Sequence, residues 1–192
     1  MKRFKTRAQA VIALVVIIVA AAMTFYHISQ DKRFTHERTE HASEAIRLTF
    51  DAIVHDVEHF YQFRSPALLN SAEVLKAIRE SDSDHLYRLI LPRYNALREE
   101  NPYLTIMQFH AADGCSIVRI HMKARHGDNI AARRPMLREI HANHAMISGF
   151  EGGLGGIAFR VIVPIFDQGN YIGALEYGLD TDYFIQRIKQ FA

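Results

Sequence analysis

The chain has a long apolar segment close to its N-terminus, which limits the ways in which it can fold. Between residues 10 and 28, only Thr24 and His27 interrupt a run of aliphatic and aromatic residues. A helix of that length spans roughly 28 Å, close to the thickness of the hydrocarbon core of a bilayer. Four basic residues precede the segment: Lys2, Arg3, Lys5 and Arg7. Because basic flanks stay cytoplasmic, the segment predicts a single-pass inner-membrane anchor with the rest of the chain outside the cytoplasm.

A cleaved signal peptide is the competing interpretation of this segment. Ala20, Ala21 and Ala22 are small residues of the kind found at cleavage sites. We favour the uncleaved anchor because the hydrophobicity continues beyond that site. In both interpretations the chain after about residue 30 is exported, so residues 1–30 are predicted to be the basic tip and the anchor.

Composition excludes several classes of protein. The formal net charge is only +2, without a broad basic field, so no nucleic-acid partner is expected. Cys115 is the single cysteine and makes neither a disulfide within the chain nor a haem-attachment motif. No serine or cysteine stands in a nucleophile motif and no pair of acids is placed for acid–base catalysis, so an enzyme is not expected.

Residues 31–102 have a helical pattern. Apolar residues recur at helical spacing over residues 41–63, which predicts a long helix that Ser65-Pro66 breaks. A shorter helix is predicted from Ser71 to Arg79. Another is predicted to start at Ser83 or Asp84, with a kink or an early end at Pro92.

Residues 103–180 change to a strand pattern. Alternation over residues 103–110 and 115–122, with Asp113-Gly114 between them, predicts a hairpin. Arg134-Pro135 opens a short helix, residues 157–165 and 171–179 are strands, and Thr181 is predicted to cap a terminal helix over residues 181–192. The predicted fold class is α+β: an anchor and a long stalk helix, then an antiparallel sheet of about five strands with flanking helices.

Large polar residues interrupt the apolar strands. Gln108 and His110 share one face of the first strand, Arg119 and His121 share a face of the second, and Arg160 and Glu176 stand in the last two. If these side chains converge in a concave site, they would suit a carboxylate or another small anion, because arginine binds such groups in a bidentate manner. The alternative is that they form the solvent-facing side of the sheet.

Two further patterns have open interpretations. Residues 149–156 are rich in glycine but lack a P-loop motif, so they are either a mobile flap beside a pocket or a tight connection between strands. His55 and His59 are spaced i, i+4, and His141 and His144 are spaced i, i+3, which permits metal or haem binding. The alternative is that these histidines are solvent-exposed residues of helices. No cofactor is predicted.

The strand half resembles the Cache domains, the extracytoplasmic PAS-like sensor domains of bacterial receptors. The ordered series is QFHAADG at 108–114, VRIH at 118–121, GD at 127–128, RP at 134–135, GFE at 149–151, RVIVPI at 160–165 and GALEYG at 173–178. The resemblance implies that residues 103–180 are a single PAS-like module that holds a ligand between sheet and loops. Within the family pattern, Arg119, His121, Arg134 and Arg160 fall where pocket residues are expected. With the other polar strand residues and Glu151, the predicted binding residues are Gln108, His110, Arg119, His121, Arg134, Glu151, Arg160 and Glu176.

The helix over residues 41–63 resembles the stalk helix that precedes such domains and often pairs in a homodimer. The resemblance implies service to a chemoreceptor, a sensor histidine kinase or a cyclic-dinucleotide enzyme. Such receptors usually have a second membrane helix and an output domain, so this chain is expected to be either a part of a receptor or a short protein without its own output.

Three hypotheses follow. The favoured one is an extracytoplasmic sensor, periplasmic or extracellular, that binds a small anionic metabolite. The second is a histidine-rich metal- or haem-binding protein. The third is a dimerisation module without a ligand.

Overall fold

The computed structural model describes the backbone of residues 2–153 and 155–191, and the side chains of residues 17–27, 39–153 and 155–191. Helix α1 covers Lys2–Leu69 and passes through two compact units, Met1–Thr49 and Phe50–Ala192. None of the helical segments among the described residues combines the length and the hydrophobicity that a membrane span requires. Residues 10–16 and 28 of the predicted anchor lie outside the described side chains.

The second unit contains all the remaining elements. They are α2 (Ala72–Arg79), α3 (Ser83–Glu100), β1 (Leu104–Ala111), β2 (Ser116–Arg119), a short 3-10 helix (Ala131–Arg133), α4 (Pro135–Asn143), β3 (Ile147–Gly153), β4 (Gly156–Asp167), β5 (Asn170–Asp180) and α5 (Asp182–Lys189). The strands form one antiparallel sheet in the order β2-β1-β5-β4-β3. The α+β class and the five-stranded sheet with flanking helices are confirmed.

The sheet is covered on both faces. On one face Phe109 and Tyr177 pack in a core with Ile53, Val57 and Tyr61 of α1, together with α2, α3 and α5. On the other face a smaller cluster covers part of the sheet: Ile130, Met136, Leu137, Ile140, Ile162 and Ala174. Successive residues of a strand point to opposite faces of the sheet, so each central strand contributes side chains to both layers.

Neither of two prolines ends its helix, although Ser65-Pro66 was expected to break the first and Pro92 to kink or end the other. Helix α1 continues past Pro66 to Leu69, and the Asn70 N–H donates to the Pro66 carbonyl at 2.9 Å to close the last turn. Pro92 lies within α3, where Ile90 and Tyr94 on either side of it are buried. A proline removes one hydrogen bond, and burial of the flanking turns outweighs that loss.

Helix ends also differ from the sequence prediction. Asp82, rather than Ser83 or Asp84, caps α3, because its carboxylate accepts the His85 N–H at 2.9 Å. The Thr181 side chain makes no capping hydrogen bond to α5; Asp180 accepts the Asp182 N–H instead. Strand β3 was not predicted at all, because glycines within it have low β-propensity.

Candidate ligand-binding site

A cleft of about 640 Å³ opens on the face of the sheet that carries α4. Its walls are β1, β2, β4, the segment after β2 and the hairpin between β3 and β4. The walls carry Thr105, Asp180 and a mainly basic set of polar side chains: Gln108, Arg119, His121, Arg133, Arg134 and Arg160. Ile106, Met122, Ile130 and Ile157 add apolar surface, so the cleft has the mixed lining that is typical of small-molecule sites.

Strand register explains why polar groups from distant positions meet there. Gln108 pairs with Arg119 on one side and with Glu176 on the other, and Arg160 pairs with Gly178. Directly paired residues project from the same face of a sheet. The alternative of a solvent-facing polar side is wrong for these residues, since Gln108, Arg119, Arg160 and Glu176 are each at most 3% exposed.

Glu176 is the centre of a buried ionic network. One carboxylate oxygen is 2.8 Å from His110 Nε2, and the other accepts from Arg134 Nη2 at 3.0 Å and contacts Arg160 Nη1. Burial raises the pKa of Glu176, but the hydrogen bond and charge of His110 and the two guanidinium groups outweigh it and hold the pKa well below its usual range. Glu176 is therefore ionised and positions both arginines.

Glu151 supports the same arginines from the hairpin. One carboxylate oxygen contacts Arg134 Nε, and the other accepts the Met136 N–H at 3.0 Å in the first turn of α4. Its backbone carbonyl accepts from Arg160 Nε at 3.2 Å. A carboxylate at a helix N-terminus interacts favourably with the helix dipole. Glu151 thus joins β3, α4 and the two arginines.

Arg119 has a different partner. Its two terminal nitrogens donate to the Asp128 carboxylate at 2.7 and 3.0 Å, and Nη1 also reaches the Arg125 carbonyl at 2.7 Å. The Arg119 guanidinium holds the pKa of Asp128 below its usual range. Because most of its donors are used, Arg119 chiefly fixes the segment that closes one side of the cleft.

Gln108 and His121 complete the polar wall. Gln108 Nε2 donates to Ser116 Oγ at 2.9 Å. His121 Nδ1 lies 3.2 Å from the Met107 carbonyl oxygen. Burial lowers the pKa of His121 despite this hydrogen bond, so the ring is neutral near pH 7.

Gly153 leaves space for Arg160. A Cβ atom built on Gly153 would lie 2.4 Å from Arg160 Nη2 and 3.9 Å from Arg134 Nη1. The outer nitrogens of both guanidinium groups therefore flank the hairpin at this glycine. Most of the glycine-rich segment is strand, since residues 149–153 belong to β3 and Gly156 begins β4. Gly152, Gly153, Gly155 and Gly156 line the cleft.

The structure brings together all eight predicted site residues, in two roles. Gln108, Arg119, His121, Arg134 and Arg160 line the cleft, whereas His110, Glu151 and Glu176 stand behind the arginines. Sequence reasoning missed Arg133, Gly153 and Asp128. The GD motif at 127–128 pointed to Asp128, but no local pattern indicated its contact with Arg119.

The histidine pairs have different surroundings. His55 and His59 lie next to each other on α1 with ring centroids 4.2 Å apart. His141 Nδ1 is 2.7 Å from the Tyr171 hydroxyl, and His144 stacks on the Tyr171 ring. Among the described side chains, no group of three or more histidine, cysteine, aspartate or glutamate residues is placed to hold a metal ion.

A five-stranded antiparallel sheet, with a ligand-sized cleft on one face and the second-unit part of α1 on the other, is the arrangement of a PAS-like domain. Residues 37–192 match the dCache_3 family, described as the double sensory domain of two-component sensor kinases. The chain belongs to this Cache family of sensor domains. The resemblance inferred from the sequence is confirmed, and the described residues contain one such sheet.

Solved structures with this fold come from bacterial signalling proteins. The sensor domain of the Vibrio cholerae histidine kinase DctB has a TM-score of 0.62 at 15% identity, over 78% of this chain and 58% of its own. The extracellular domain of the putative histidine kinase vpHK1S-Z8 has a TM-score of 0.55 at 16% identity, over 72% and 56%. A domain of a putative sensory box/GGDEF protein from Vibrio parahaemolyticus has 0.52 at 15%, over 76% and 62%.

These likenesses concern the fold. The chain spans less than two thirds of the length of each of these three structures. A comparison with curated proteins returned no match.

Proposed function

We propose that this chain is the extracytoplasmic sensing part of a membrane signal receptor and that its cleft binds a small anionic metabolite through a carboxylate group. Two features support the sensing role: membership of a sensory-domain family and the cleft on the sheet. The proposal that the ligand is a carboxylate depends on one observation: two outer guanidinium nitrogens, Arg134 Nη1 and Arg160 Nη2, lie beside Gly153.

Charge around the two arginines favours an anion. Glu176 and Glu151 take their inner donors, and within the described residues no hydrogen bond occupies the two outer nitrogens. Arg133 adds a further cationic side chain to the lining. Among the described residues that line the cleft, Asp180 is the one acidic residue. Carboxylates bind guanidinium groups in a bidentate manner, and a partly desolvated cleft strengthens that interaction.

The membrane arrangement belongs to the same proposal. Residues 10–28 anchor the chain with the basic tip in the cytoplasm, and α1 pairs in a homodimer. Ligand binding would favour one of two positions of the sheet relative to the second-unit part of α1, and such a preference is required for a signal.

A thermal-shift screen of the full chain in dodecyl maltoside tests the ligand class. Small mono- and dicarboxylates are compared with their uncharged amides, and at least one carboxylate should raise the unfolding temperature while its amide does not. Arg160→Lys keeps the charge but loses the planar fork, so it should reduce that shift. Equal stabilisation by acid and amide, or an unchanged shift in Arg160→Lys, would overturn the proposal.

A further inference from the structure

A second pocket lies on the helical side of the sheet, on the opposite face from the cleft. Its volume is about 340 Å³, and it forms where the end of α3 and the start of β1 meet α1 and α5. None of the described residues that line it is basic. Its lining is chiefly aromatic and acidic: Asp56, Phe60, Tyr61, Glu100, Tyr103 and Tyr183.

The aromatic residues form two edge-to-face pairs. The Phe60 and Tyr61 rings have centroids 5.0 Å apart at 80°, and the Tyr103 and Tyr183 rings have centroids 5.7 Å apart at 65°. The face of an aromatic ring carries partial negative charge and attracts a cation placed above it. Two such pairs beside two carboxylates make a surface that repels anions and attracts positive charge.

The protein already places one of its own cations at this pocket. The Arg64 guanidinium carbon lies 4.6 Å from the centre of the Phe60 ring, and the guanidinium binds Glu100 at 2.7 and 3.0 Å. The side chains of Arg64 and Glu100 are each 45% exposed, so this ion pair is at the rim. An exposed ion pair is weak, and a better-placed cation can therefore compete with it.

Tyr61 forms part of the pocket wall through its ring. The residue is only 1% exposed and its hydroxyl is buried, with the Asn101 side chain beside it. Tyr61 therefore adds aromatic surface to the pocket rather than a hydrogen-bonding group.

We propose that this pocket binds a small alkylammonium cation. The aromatic pairs receive the alkylated nitrogen, and Asp56 and Glu100 supply the opposite charge. A site walled mainly by ring carbons offers too few oxygen or nitrogen ligands for a metal ion. The proposal does not rest on the carboxylate cleft, because the two sites share no residue.

Isothermal titration of the full chain in dodecyl maltoside tests it with choline as the probe. The control ligand is 3,3-dimethylbutan-1-ol, which has the same shape and hydroxyl but no charge. Choline should bind at least about tenfold more tightly than the alcohol, since a partly desolvated cation–π contact and a nearby carboxylate together exceed ~1.4 kcal/mol. Absent choline binding, or equal affinity for both ligands, would overturn the proposal.

Matched variants locate the binding. Tyr103→Leu removes a ring face but keeps apolar volume, and it should weaken choline binding about fivefold or more. Tyr87→Leu is the control, because Tyr87 also lies under a cation, Lys123, but outside this pocket. Arg64→Ala should tighten binding by removing the competing cation. Equal effects of the two tyrosine variants, or weaker choline binding in Arg64→Ala, would contradict this site.

Discussion

The hydroxyl groups of Ser65 and Tyr177 lie 3.1 Å apart in the interior of the second unit. Ser65 is near the end of α1, and its hydroxyl also donates to the Tyr61 carbonyl at 2.7 Å. Tyr177 is on β5, directly after Glu176, and its ring centroid is 4.5 Å from that of Tyr61. Neighbouring strand residues face opposite sides of the sheet. Consecutive residues of β5 therefore contact the cleft arginines on one face and α1 on the other.

We expect the Ser65–Tyr177 hydrogen bond to stabilise the contact between α1 and the sheet. Ser65→Ala and Tyr177→Phe should each lower the free energy of unfolding by about 1 kcal/mol, and the double variant should lose less than the sum. Urea denaturation measures the four free energies. Tyr94→Phe is the control partner, because Tyr94 donates to the Thr105 carbonyl instead, and its effect should add to that of Ser65→Ala. Additive losses in the first cycle would show that the pair is not coupled.

Gly153→Ala should weaken carboxylate binding with little effect on folding. The new methyl group would meet Arg160 Nη2 at 2.4 Å and displace it, whereas the backbone of Gly153 is not in the left-handed region. We expect about tenfold weaker binding of the carboxylate identified by the screen, measured by titration calorimetry, with a nearly unchanged unfolding temperature.

Gly152→Ala is the matched control for that variant. It is the neighbouring glycine of the same strand, and a Cβ atom built there has no neighbour within 4 Å. Its carboxylate affinity should remain that of the unmodified chain. If both alanine variants bind equally well, the outer nitrogen of Arg160 does not contact the ligand.

Glu176 should govern part of the acid sensitivity of the fold. Its folded pKa is held below the ordinary value of 4.5, so its contribution is complete above pH 4.5 and is lost as the pH falls toward the folded pKa. Glu176→Gln should destabilise the unit by about 3–5 kcal/mol near neutral pH, because it leaves two buried guanidinium groups without their shared counter-ion. It should also flatten the pH dependence below about pH 4.5.

Denaturation in urea at a series of pH values measures both effects. Glu139→Gln, which changes an exposed residue of α4, is the control and should follow the unmodified chain. A Glu176→Gln curve parallel to that of the unmodified chain would contradict the assignment of acid sensitivity to Glu176.

The ion pair of Arg119 with Asp128 should matter more than a comparable pair on the surface. Arg119 is 4% exposed at its side chain, and Asp128→Asn removes the charge that two of its nitrogens contact. We expect a loss of about 1–3 kcal/mol in the free energy of unfolding and faster proteolysis after residue 119. Asp84→Asn breaks the exposed pair with Lys123 and should change stability by less than about 0.5 kcal/mol. Equal losses of unfolding free energy in the two variants would show that the Arg119–Asp128 pair stabilises the fold no more than an exposed pair does.

Several elements could be predicted from local sequence. The β1–β2 hairpin follows from alternation on both sides of Asp113-Gly114, where Gly114 has a φ of +84° that favours glycine. Helix α4 begins at Pro135 because proline suits the first helical position. These features depend on neighbours within a few residues, so the chain determines them without tertiary context.

Other features required the assembled sheet. Strand β3 is rich in glycine and becomes a strand because Ile147 to Gly153 pair with β4. The sequence did not show whether Arg160 projects from a buried or an exposed face of the sheet, because polar and apolar residues alternate in the same way in both cases. Pro66 and Pro92 remain inside helices because packing holds the turns around them.

Local sequence was enough to predict the order of the helices and of every strand except β3, and it identified the polar residues of the site, because hydrophobic period and turn chemistry act over short distances. The pairing of Glu176 and Glu151 with Arg134 and Arg160, and of Asp128 with Arg119, depends on the folded chain. These partners come from different elements, and burial forces each charged group to find one.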